Sequence, residues 1–288
     1  MHGTGVALVT PFTEHGDIDE AALASLVPEL EHRGVDFIVP VGSTGESVLM
    51  TPEEQGRVIE VVADAASVPV LAGTGQPGLR ATEQATVRAA AAGADAAMVV
   101  TPYYYRHDQD ALAAYYRELA DGSDLPIYAY SVPGKTGVAI EPETAAEIAE
   151  HPNVAGLKDS SGDLERLHRE LSMTREAAFD VLIGHGGLLA QALEAGASGG
   201  ILALANVAPE RASEVYERYA AGEEAEARSL NAELVELNRA ITARYGVPGV
   251  KAAMRLRGLP AGHVRKPHRP VGPAAEAELE RLVEAAEP

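Results

Sequence analysis

The chain alternates short continuous apolar runs with longer stretches of helical periodicity. The runs fall at residues 5–12, 36–42, 69–74, 96–102, 126–131, 154–160, 180–185 and 199–205. They are apolar throughout rather than at every second position, as expected of parallel strands covered on both faces. Between them the apolar positions repeat every three to four residues. Leu23, Leu26, Val27 and Leu30 mark a helix after the first run, and Leu112, Tyr115, Tyr116 and Leu119 mark one after the fourth. Thr51–Pro52–Glu53–Glu54 opens another as a capping box with proline at the first position. An Ala-rich helix runs to Ala92–Gly93, a helix begins near Glu141–Pro142, and one from Pro209 to about Ala221 closes the series.

Eight strand–helix units predict an α/β fold, a (β/α)8 TIM barrel, with active-site groups at the C-terminal ends of the strands. A doubly wound open sheet is the alternative, and the near-equal repeats favour the barrel. After residue 221 the strand pattern stops. Leu230, Leu234, Leu237 and Ile241 share one helical face, residues 250–256 and 274–286 form two more helices, and a Gly-, Pro- and His-rich stretch links them. The expected organisation is a barrel over 1–221 with a C-terminal helical extension, 222–288, packed on it.

Composition narrows the chemistry. The net charge of −20 argues against nucleic acid and anionic membrane surfaces as partners. The chain has no cysteine, which excludes disulfides, thiolate catalysis and thiolate metal sites. No secretory leader and no membrane span are read, so a cytoplasmic location is expected. The nine histidines form no metal-binding spacing, so no metal is expected, and His185 reads as structural. Gly73–Thr74–Gly75–Gln76–Pro77–Gly78 has the spacing of a dinucleotide fingerprint. However, proline sits where the helix should open, and no acidic residue ends the next strand. Gly134–Lys135–Thr136 resembles the end of a P-loop, but Ala129 stands where its first glycine belongs. Both are rejected.

The most informative residue is Lys158, in Val154–Ala155–Gly156–Leu157–Lys158–Asp159. Lysine is rarely buried. Burial disfavours the ammonium and yields an amine suited to a Schiff base with a carbonyl substrate. The ordinary alternative is a strand-end lysine snorkelling to water or paired with Asp159. Other polar groups collect at strand ends. Ser43 and Thr44, in a glycine loop, suit either a bound carboxylate or a turn and helix cap. Tyr130 ends the fifth strand and is either a proton relay or a satisfied core tyrosine. Tyr103, Tyr104 and Tyr105 follow the fourth strand, where an aromatic cluster is by default core or interface. Lys135 lies just beyond Tyr130, where it either meets a substrate carboxylate or simply sits on its loop.

Taken in order, Ser43–Thr44–Gly45–Glu46, Pro102–Tyr103–Tyr104, Tyr130–Ser131–Val132–Pro133 and Gly156–Leu157–Lys158–Asp159 resemble the dihydrodipicolinate synthase / N-acetylneuraminate lyase family. The resemblance covers essentially the whole chain. It implies a TIM barrel with a C-terminal helical extension, class I pyruvate-dependent lyase or aldolase chemistry without a cofactor, and a homotetramer built as a dimer of tight dimers. It also implies residue roles. Lys158 forms the Schiff base with pyruvate or another 2-oxo acid, and Tyr130 shuttles the proton. Ser43 and Tyr104 complete a hydroxyl relay, Tyr104 reaching in from the neighbouring subunit. Ser43 and Thr44 hold the carboxylate, and Ile201 offers its carbonyl near the lysine.

Within the family, residues 93–102, His151–Pro152–Asn153–Val154, residues 158–163, 203–207 and 244–249 look most like the 4-hydroxy-2-oxoglutarate aldolase branch. Tyr105 replaces the Asn usual in the synthase branch. Lys135 cuts the other way: the synthase usually has Arg there and the 4-hydroxy-2-oxoglutarate branch often lacks a cation, while Lys keeps the charge and loses the bidentate fork. On the larger number of matching stretches, the expected reaction is cleavage of 4-hydroxy-2-oxoglutarate, or a similar 4-hydroxy-2-oxo acid, to pyruvate and an aldehyde. Two alternatives stand beside it: 4-hydroxy-tetrahydrodipicolinate synthase, joining pyruvate to aspartate semialdehyde, and a non-catalytic 2-oxo acid binder.

Overall fold

The computed structural model describes residues 1–287. Eight parallel strands alternate with α-helices along the chain, and the fifth strand alone is followed by two before the next strand. They are β1 (Gly3–Ala7), α1 (Glu20–His32), β2 (Phe37–Val39), α2 (Pro52–Ala65), β3 (Leu71–Gly73), α3 (Leu79–Ala91), β4 (Ala96–Val100) and α4 (Gln109–Asp121). Then come β5 (Ile127–Ser131), the single turn α5 (Pro133–Thr136), α6 (Pro142–Ala149), β6 (Val154–Asp159), α7 (Leu164–Met173), β7 (Asp180–Ile183), α8 (Leu189–Ala195), β8 (Gly199–Leu202) and α9 (Pro209–Ala220). The strand order is β2-β1-β8-β7-β6-β5-β4-β3. A parallel bridge between Ile38 and Val70 closes the ring, with Ile38 N donating to Pro69 O at 2.9 Å. The expected TIM barrel is what the chain forms.

Two apolar layers hold it. The strand side chains facing outward, such as Val99, Ala129, Leu157 and Ile183, join the helices in one continuous core. Those facing inward, among them Phe37, Met98, Tyr128, Tyr130, Leu182 and Ile201, fill the lumen. Gly156 is required at its place in β6, because a Cβ there would stand 2.6 Å from the Tyr128 ring.

The C-terminal segment holds α10 (Glu224–Arg239), a π-helical turn (Ala240–Arg244), α11 (Gly246–Leu256) and α12 (Pro273–Ala285). Its Leu230, Leu234, Leu237, Ile241, Met254 and Leu279 join the same outer core as the barrel strands.

Local details depart from the pattern read in sequence. The first strand ends at Ala7 rather than running to Phe12, and the eighth ends at Leu202 before a 3-10 turn at Leu204–Asn206. Apolar residues there continue into buried loops, which periodicity does not separate from strand. The helix expected at 250–256 begins at Gly246, with Pro248 tolerated in its first turn. The capping box at Thr51 forms as expected, Glu54 N donating to the Thr51 hydroxyl and Thr51 N to the Glu54 carboxylate.

Candidate active site

The C-terminal mouth of the barrel opens into a cavity of about 460 Å³. Ser43, Thr44, Tyr130, Lys135, Lys158 and Ile201 all line it. Six of the seven residues singled out from sequence thus meet at one place.

Lys158 is placed by β6. It faces the lumen, with Tyr130 of β5 and Leu182 of β7 as its register partners. It is only 5% exposed. Its Nζ lies 4.3 Å from the centroid of the Tyr130 ring. Burial lowers its pKa to about 7, and the nearby Lys135 ammonium acts in the same direction. At neutral pH roughly half the amine is therefore unprotonated, against about 0.03% for an ordinary lysine. The alternative pairing with Asp159 does not occur. Alternation along the strand turns Asp159 outward to the helix layer, where its carboxylate accepts from the Ser161 backbone N–H at 2.9 Å and hydroxyl at 2.6 Å.

Tyr130 is 5% exposed. Burial raises its phenol pKa, while hydrogen bonds with the Ser160 and Ser43 hydroxyls act the other way. The phenol keeps its proton at neutral pH and is linked to two further hydroxyls, which is the arrangement a proton relay needs. The sequence reading missed Ser160. It stands two residues after Lys158, so strand alternation would have placed it on the same side.

Lys135 is exposed on α5, which forms where a plain loop was expected. That turn is pinned by Thr136, whose hydroxyl meets the Thr101 hydroxyl at 3.1 Å and the Val138 carbonyl at 2.9 Å. The cation thus sits at the mouth, above the amine. His185 is exposed and lines the cavity, because β7 ends at Ile183 and leaves it in the following loop. The π-helical turn and the start of α11 contribute Ile241, Thr242, Ala243, Gly246, Val247 and Val250 to the wall. An amphipathic reading of the sequence gave no sign of these contacts.

Tyr104 stands apart. It has φ 82° and is 87% exposed, in edge contact with Tyr105 at a centroid distance of 5.1 Å. It does not line the cavity of its own chain. A bulky residue held in left-handed backbone is strained, and such residues gather at functional sites and contacts. Among the described residues no helix is long and apolar enough to cross a membrane.

Residues 1–286 match the model of the dihydrodipicolinate synthetase family. The chain is 40% identical over 268 residues to 4-hydroxy-tetrahydrodipicolinate synthase of Haloarcula marismortui, covering 93% of this chain and 88% of that protein. It is 38% identical over 279 residues to the enzyme of the same name from Methanothrix thermoacetophila, covering 97% and 95%. Among solved structures, YagE, a prophage protein of E. coli K12 in complex with pyruvate, superposes with a TM-score of 0.95 at 29% identity, covering 99% of this chain and 98% of YagE. The dihydrodipicolinate synthase of Acinetobacter baumannii complexed with pyruvate gives 0.95 at 33% identity, also covering 99% and 98%.

Proposed function

Because the chain belongs to the dihydrodipicolinate synthetase family and is a lyase of that family, we propose that it forms a Schiff base between Lys158 and pyruvate and joins the resulting enamine reversibly to an aldehyde. The observation that carries this reading is the desolvated Lys158 amine, with its pKa near 7, set against Tyr130 and beside Ser43. The amine adds to C2 of pyruvate, water leaves, and the C=N bond forms. Loss of a C3 proton gives the enamine. Its C3 attacks the aldehyde carbon, and Tyr130 donates a proton to the new alkoxide. Cleavage runs the same steps backwards, with Tyr130 accepting the proton from the 4-hydroxyl. Ser43 and Thr44 hold the pyruvate carboxylate, and Ile201, which lines the same cavity, offers its carbonyl to the amine. The chemistry needs no cofactor.

For the second substrate, the best-supported reading is condensation with aspartate semialdehyde, which the sequence had placed second. The relatives from Haloarcula and Methanothrix bear the synthase name over nearly the whole chain. Lys135 at the mouth supplies a positive charge for the aldehyde's carboxylate. Cleavage of 4-hydroxy-2-oxoglutarate remains the second reading, favoured by Tyr105 in place of the synthase branch's usual Asn. Parallel assays separate them: pyruvate with aspartate semialdehyde coupled to the downstream reductase, and pyruvate release from 4-hydroxy-2-oxoglutarate. Turnover at least about a hundredfold faster in the first supports the synthase, since specificity is a ratio of kcat/KM values. The reverse ratio supports the aldolase.

The strained, exposed Tyr104 supports a subunit arrangement in which its hydroxyl enters a neighbour's site, within a homotetramer built as a dimer of tight dimers.

A further inference from the structure

The loop carrying Ser43 and Thr44 lies between two non-glycine residues in left-handed backbone, Val41 and Glu46, each with φ 58°. Such backbone persists only where its surroundings over-determine it. At the Glu46 end they do. Glu46 is 1% and Lys251 0% exposed, and the Lys251 ammonium donates to Glu46 Oε1 at 2.6 Å. It also donates to the carbonyls of Thr10 at 2.7 Å and His263 at 2.6 Å, which uses all three of its protons. Glu46 Oε2 accepts from the Arg265 backbone N–H at 2.9 Å and lies 3.0 Å from His268 Nδ1. The Thr10 hydroxyl then donates to the Gly45 carbonyl at 2.8 Å, gripping the loop between Thr44 and Glu46.

Neither charged residue lines the cavity, but each is joined to a part of its wall. Glu46 lies two residues beyond Thr44. Lys251 lies on α11, next to Val250, and that helix also presents Gly246 and Val247 to the cavity. We infer that Glu46 and Lys251 are positioning residues: their buried ion pair fixes the Ser43–Thr44 loop against α11 and so sets the affinity for the carboxylate of the 2-oxo acid. The inference rests on the proposed binding of that carboxylate by Ser43 and Thr44. A pair serving stability alone would leave substrate affinity unchanged in any variant that folds.

Glu46→Gln keeps the side-chain shape and removes the charge. Its KM for pyruvate should rise about tenfold or more, the signature of lost carboxylate binding, and kcat should fall by a smaller factor as the Ser43 hydroxyl is held less firmly against Tyr130. The rate at which borohydride traps the pyruvate adduct at low pyruvate should fall in proportion. The double variant Glu46→Leu/Lys251→Met removes both charges together and strands neither, which guards against unfolding. The same rise in KM is expected. An unchanged KM in either folded variant overturns the brace. If neither folds, hydrogen exchange in the wild type decides. Pyruvate should slow exchange at residues 263–268, which lie outside the cavity, together with 43–46; protection confined to 43–46 overturns the inference. A wild-type protein that traps no adduct defeats the Schiff-base reading instead, and that is known before any variant is made.

Discussion

Lys158 and Tyr130 are register partners on neighbouring parallel strands, with the amine 4.3 Å from the ring centroid. The same contact that desolvates the amine places the phenol beside any carbonyl the amine attacks. The proposed nucleophile and proton donor thus stand on two adjacent strands rather than on loops.

Lys135 helps to hold the Lys158 pKa down to about 7. Below that pH the amine is mostly protonated, so kcat/KM for pyruvate should climb about tenfold per pH unit and level off above it. Lys135→Met removes the neighbouring positive charge, which moves the rise to higher pH. It should also raise KM for a carboxylate-bearing aldehyde more than for pyruvate. A profile that stays in place would separate the two lysines electrostatically.

Tyr130→Phe keeps the ring over the amine and removes the hydroxyl that contacts Ser43 and Ser160. The expected loss in kcat is about 10²–10⁴-fold, the usual contribution of a positioned acid or base. Trapping of the pyruvate imine should persist, because the desolvation of Lys158 is retained. Single-turnover measurement with and without the aldehyde distinguishes the two steps.

Tyr104 predicts complementation between subunits. Tyr104→Phe and Lys158→Ala should each be nearly inactive alone, with the first as stable as wild type because its side chain is 87% exposed in the isolated chain. Mixed oligomers should regain activity, since some sites then combine an intact Lys158 with an intact Tyr104 from a neighbour. Failure to complement in verified mixed oligomers would remove Tyr104 from the site.

Behind Lys158, on the helix side of β6, Glu170 is fully buried and neither carboxylate oxygen has a partner. Burial, with help from the Asp159 charge, raises its pKa from 4.5 to about 9. Between those values the folded protein holds a proton that the unfolded chain has released, so stability falls as pH rises through this window. The cost at pH 7 is on the order of 3 kcal/mol. Glu170→Gln abolishes that dependence. It should gain stability over wild type at pH 8 and show little difference at pH 4, as read by urea unfolding. Equal stabilities at both pH values would place the Glu170 proton elsewhere.

The barrel could be read in the sequence because parallel strands buried on both faces leave uninterrupted apolar runs, and eight of them recur with helical stretches between. Lys158 stood out because a charge inside such a run is costly without a use. Ser160 followed from the same alternation and was overlooked. The Glu46–Lys251 pair joins residues more than two hundred positions apart, and no local period reports a contact of that range. The same holds for the π-helical turn, whose Ile241 reads as one more apolar position of α10. Tyr104 was picked out as one of three adjacent tyrosines, but its left-handed backbone depends on how the loop is held, which composition does not encode.

If Lys158 is the group that captures the 2-oxo acid, reduction should fix the acid to it. Incubation with pyruvate, reduction with borohydride and mass analysis of the intact protein and its peptides test it most directly. One adduct per chain is expected, on the peptide carrying Lys158, and none in Lys158→Ala. An unmodified wild-type protein, alongside a control aldolase that is modified, or an adduct on another lysine, would contradict it.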